Sequence, residues 1–119
     1  MAKIPCEYSG GVSPVTGLTF NSSINNLSNS TIYKDDCYVY GCVMGAATTD
    51  LSVGTVIVSG LPKPITGIAK MRIPILITSR DTSSPGIAEI DSNGNMTVVV
   101  ATYGATNHYI IINFMYKYM

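Results

Sequence analysis

Apolar residues in this chain recur at every second position, and the last fifty residues show it best. From His108 to Tyr118, His108, Ile110, Ile112, Phe114, Tyr116 and Tyr118 fall on one side of an extended chain, and Tyr109, Ile111, Asn113, Met115 and Lys117 on the other. A half-exposed strand is polar on one side; this one is mostly apolar on both, so both faces need cover. Upstream, Ile87–Asp91 and Met96–Thr102 flank Ser92-Asn93-Gly94-Asn95, and Asn-Gly is the strongest short-range signal for a hairpin. Further strands are expected at Cys37–Met44, Val53–Ser59 and Ile68–Thr78. Gly41 suggests a bulge or bend in the first of these. Pro74 has no N–H to give to a ladder, which places the third at a bulge or a sheet edge there. Ser79–Gly86 reads as a polar loop, and Asp35-Asp36 as a turn whose carboxylates accept backbone N–H groups. No window carries the i, i+3, i+4, i+7 stripe of an amphipathic helix.

Six or seven strands at spacings of roughly 8–12 residues predict an all-β fold, an antiparallel β-sandwich. At 119 residues the chain is expected to form one such domain over residues 31–119. It would be preceded by an arm or attachment segment over residues 1–30, with short strands at most near Ile4–Tyr8 and Gly17–Phe20.

Composition narrows the chemistry. Charged residues are 12% of the chain and the net charge is zero, while Ser, Thr and Asn number twelve, twelve and eight. Such a neutral hydroxyl-and-amide surface can form subunit contacts without desolvating many charges, or hydrogen-bond sugars. Without a basic patch, nucleic-acid binding is not expected. The N-terminus shows no apolar signal core, and Asn, Gly, Thr and His interrupt the uncharged Ser92–Tyr116 stretch, so neither secretion by a signal peptide nor membrane insertion is expected. The odd count of cysteines, at 6, 37 and 42, favours reduced thiols. Cys37 and Cys42 would face opposite sides of one strand, and a lone C-x4-C arm does not make a metal site. No metal and no cofactor is expected.

Catalysis has few candidates. His108 is the one histidine and lacks a G-x-S-x-G companion. Glu89 and Asp91 share a strand face at roughly 7 Å. That pairing is what a glycosidase would need, but nothing flanking it would raise a carboxyl pKa. Ligand binding is better placed on two loops expected to share one end of the fold. Arg80 and Asp81 lie in one, Tyr103 and Asn107 in the other, and His108 at its exit. Tyrosine stacking with Asn, Asp and Arg hydrogen bonds is a usual way to grip a saccharide.

Three stretches together resemble a known group. Gly54-Thr55-Val56-Ile57-Val58 with Leu61-Pro62-Lys63-Pro64, then Gly86–Val98 with its Asn93-Gly94-Asn95 turn, then Ile110-Ile111-Ile112-Asn113-Phe114-Met115-Tyr116 are similar to the C-terminal head domains of bacteriophage tail-fibre and minor structural proteins. The resemblance covers about residues 52–118. It implies a jelly-roll-like sandwich assembling as a homotrimer. It further implies a virion protein, made in the host bacterial cytoplasm, that binds host-surface saccharide or caps a fibre and contacts other virion proteins through its N-terminal segment. The Leu-Pro connection is shorter than in that group, with Lys63 where Gly-Tyr usually intervenes. The alternatives are a monomeric carbohydrate-binding module and a glycosidase using Glu89 and Asp91.

Overall fold

The computed structural model describes residues 11–25, 30–47, 52–65, 70–78, 83–101 and 109–118. These residues form strands, turns and extended connections and no helix. The strands are β1 Ser13–Pro14, β2 Thr19–Phe20, β3 Ile24–Asn25, β4 Thr31–Lys34, β5 Tyr38–Ala47, β6 Val56–Ser59, β7 Lys70–Thr78, β8 Ser83–Asp91, β9 Met96–Ala101 and β10 Tyr109–Lys117. All pairings are antiparallel within one sheet, in the order β1-β4-β5-β10-β7-β8-β9-β6-β2, with β3 beside β5.

That order forces a curl. A flat path of nine strands would separate its edges by roughly 38 Å. The two edges, β1 and β2, are joined by Val15–Leu18, and the chain from Pro14 to Thr19 reaches at most about 17 Å. The sheet therefore bends round as a half-barrel and folds its apolar face inward. Val39, Val43, Ile57, Ile75, Ile77, Ile90, Met96, Val98, Ile110 and Ile112 line that face and are fully buried in a single core. Strand β10 lies near the middle of the path, paired along its whole length with β5. With β7 it shares only three rungs, from Tyr109↔Thr78 to Ile111↔Leu76. Beyond Leu76, β7 keeps β8 as its sole ladder partner among the described residues. Pro74 falls there, so the expectation of a local sheet edge is met.

Turn chemistry is local and explicit. Asp35 Oδ1 accepts the backbone N–H groups of Cys37 and Tyr38 at 2.8 and 2.7 Å, turning β4 into β5. Asp91 Oδ1 does the same for Asn93 and Asn95 at 2.9 and 3.0 Å, turning β8 into β9. Gly94 takes a φ of 82°, as the Asn-Gly signal requires.

Four expectations change. Strand β6 starts at Val56, because Ser52–Thr55 closes a turn through Thr55 N–H to Ser52 O, with Gly54 at φ 95°. The Ser79–Gly86 stretch is not all loop: β8 begins at Ser83, and Pro85 and Gly86 pair with Leu76 and Ile75. A side chain at Gly86 would meet Val100 O at 2.9 Å, so the glycine serves close strand approach beside the β8–β9 register shift. Gly41 sits in regular pairing with Ile32 and Phe114 and makes no bulge; a Cβ there would meet Thr31 O at 2.6 Å. Finally, Cys37 is disulfide-bonded while Cys42 is a free thiol. The expectation of reduced cysteines thus fails at Cys37.

Candidate functional site

The five candidate ligand residues, Arg80, Asp81, Tyr103, Asn107 and His108, lie outside the described residues. Their strands do not. Thr78 at the end of β7 pairs with Ser83 at the start of β8 and with Tyr109 at the start of β10, and Ala101 at the end of β9 pairs with Gly86. The strand ends that flank both loops thus lie at one end of the sheet.

Each member of the carboxylate pair has a hydrogen-bonded partner of its own. Glu89 accepts from Arg72 Nε at 3.1 Å across the β7–β8 ladder. Asp91 is the acceptor that holds the β8–β9 turn. Among the described residues no cluster of three or more His, Cys, Asp or Glu side chains is arranged to hold a metal ion.

Two tyrosines at the end of β10 are tied to distant backbone. Tyr116 donates its phenol to Pro62 O at 2.6 Å, and Ile65 N–H reaches Lys117 O at 2.9 Å, so the connection after β6 is pinned to the last strand. Burial pushes the Tyr116 phenol well above its ordinary range. Tyr118 donates to Asp35 O beside Lys34, whose ammonium lies 5.8 Å from its ring centre. Its phenol is also raised, first by burial and then by the negative charges of Asp36 and Asp35.

The outer side of the sheet is the larger feature. Opposite the buried set on β10 stand Tyr109 and Met115, 60% and 65% exposed. The register aligns them with neighbours of the same kind. Tyr33, Tyr40 and Met115 form one row across β4, β5 and β10, and Met44, Ile111 and Leu76 form another across β5, β10 and β7. Sequence reasoning found the doubly apolar β10 and missed the rest, because the row partners lie far away in the chain, from Leu76 back to Tyr33, and only the register unites them. A cleft of about 340 Å³ opens where the Pro14–Phe20 segment crosses β4, lined by Val15, Leu18, Phe20, Thr31 and Tyr33 among others, without a charged residue.

The chain matches no protein-family model, and no curated protein matches it either.

Proposed function

We propose that this chain is a non-enzymatic virion structural protein of the bacteriophage fibre-head kind. It works as a homotrimer, with its loop end turned toward host-surface saccharide and its N-terminal segment toward other virion proteins. The observation that carries the reading is the outer side of β10: a strand near the middle of the sheet leaves Tyr109 and Met115 mostly open in the single chain. Large apolar side chains each contribute roughly 1.5–3 kcal/mol when buried, so neighbouring subunits gain by covering them.

Three further points support it. The β10–β7 ladder holds three rungs and then ends, which fits a jelly-roll-like sandwich whose layers, β4-β5-β10 and β7-β8-β9-β6, meet at one corner. The strand ends that flank both candidate ligand loops lie at one end of those layers. The disulfide at Cys37 suits the oxidising exterior where virion surfaces operate.

Sedimentation velocity at micromolar concentration is the first test, and the reading expects three times the 12.7 kDa chain mass. A single-chain particle at every concentration would overturn it and favour the monomeric carbohydrate-binding module. A glycan array on the purified assembly then tests the saccharide: binding that Tyr103→Ala and Asn107→Ala abolish supports the loop end. Polysaccharide turnover lost in Glu89→Gln and Asp91→Asn would establish the glycosidase instead.

A further inference from the structure

The outer surface of the sheet has two unlike regions. On β7 and β8 the two outward rows nearest the β8–β9 turn are charged and complementary, Lys70 opposite Asp91 and Arg72 opposite Glu89, and the next rows, Pro74 opposite Ile87 and Leu76 opposite Pro85, carry no charge. Charged cross-strand pairs suit a solvated face. On β4, β5 and β10 the outward rows are tyrosine, methionine, isoleucine and small polar residues, with Lys117 the one outward charge among the described residues of those strands, at the far end of β10. The chain as a whole carries no net charge, so copies do not repel one another over long range.

We infer that the outer β4-β5-β10 face, with Leu76 of β7 at its border, is the self-association surface, that it docks on a second copy of this chain, and that the charged rows of β7–β8 stay in water. This rests on the multimer proposed above and names the surface that makes it. Area favours a protein copy as occupant. Tyr33, Tyr38, Met44, Leu76, Tyr109 and Met115 together expose on the order of 600 Å² of side chain, the upper end of what a lone monomer leaves open. A standard interface covers roughly 800 Å² on each partner, so this patch with its polar rim is close to sufficient. Charge-poor centres rich in Tyr and Met are also what such interfaces favour. Cys42 lies on the same face, between Thr31 and Asn113 in the register, and its free thiol reports on cover there.

The experiment uses the whole chain and three single variants. Met115→Lys and Met44→Lys each place a charge on the face at side chains more than half exposed, outside the core. Ser92→Lys places the same charge on the exposed β8–β9 turn. Circular dichroism first checks that each variant keeps its strands. Concentration-dependent sedimentation is expected to show self-association weakened about tenfold or more by Met115→Lys and Met44→Lys and unchanged by Ser92→Lys. Maleimide labelling of Cys42 is expected to be slow in the wild-type assembly and fast in the two face variants. If the wild type assembles and both face variants assemble as tightly, with Cys42 open to label, another surface makes the contact: the inference fails and the multimer stands. A wild type that stays monomeric removes the multimer itself. In that case, co-flotation with neutral phosphatidylcholine vesicles, lost in Met115→Lys, would assign the face to a membrane and overturn the second-copy reading.

Discussion

Gly94 serves two demands at once. Its φ of 82° closes the turn, and a Cβ there would stand 2.1 Å from Leu61 O, whose own amide donates back to Gly94 O at 3.1 Å. Gly94→Ala is therefore expected to cost about 2–4 kcal/mol, read as a lower urea midpoint with unchanged slope. Sequence signals the first demand through the Asn-Gly pair and is silent on the second. The same silence explains the misreadings at Gly41 and Gly86, where the reason for glycine is a strand passing close by. Tyr116 gives a pH prediction. Its phenol is raised in the folded chain, so the folded state holds that proton more tightly than the unfolded one. The stability this contributes is whole below the ordinary tyrosine value of 10.0 and erodes as pH climbs above it. Tyr116→Phe should lose about 1 kcal/mol at neutral pH, with the bond to Pro62 O, and show a shallower alkaline decline in chemical unfolding.

Among elements, β10 separates inside from outside by single steps. Ile112 is fully buried and Asn113 beside it is exposed. Ile112→Asp and Phe114→Asp are expected to yield insoluble or unfolded chain, because each buries an unpaired carboxylate. Asn113→Asp should remain soluble with native circular dichroism; if it too precipitates, the sidedness assigned to β10 is wrong. The long strands were legible because alternation over nine or ten residues leaves little ambiguity. Short elements were not: β1 and β3 have two residues each and take their place from the longer strands they pair with, β4 and β5. The early start of β8 was hidden by Pro85-Gly86, a pair that ordinarily marks a loop.

At the level of the molecule, the class of fold was readable and its outer face was not. All-β architecture follows from periodicity, but a surface built from Tyr33, Met44, Leu76 and Met115 exists only once the register brings four strands together. The cysteines were misjudged for a related reason, since counting them says nothing of which ones meet. Cys37 is bonded and Cys42 is not, so thiol titration of the denatured, unreduced protein should find one free group per chain, and three after reduction. Three thiols before reduction would contradict the bond.

The brief passage from Val15 to Leu18 has a mechanical meaning. Both margins of the sheet hang from it, one on either side, and Gly17 rests against Gly60, where an added Cβ would strike Gly17 O at 2.3 Å. Thr16 and Gly17 are exposed, so the clasp that shuts this molecule is worn on its outside. One severed peptide bond there would set both borders loose, each free to recruit a stranger's strand.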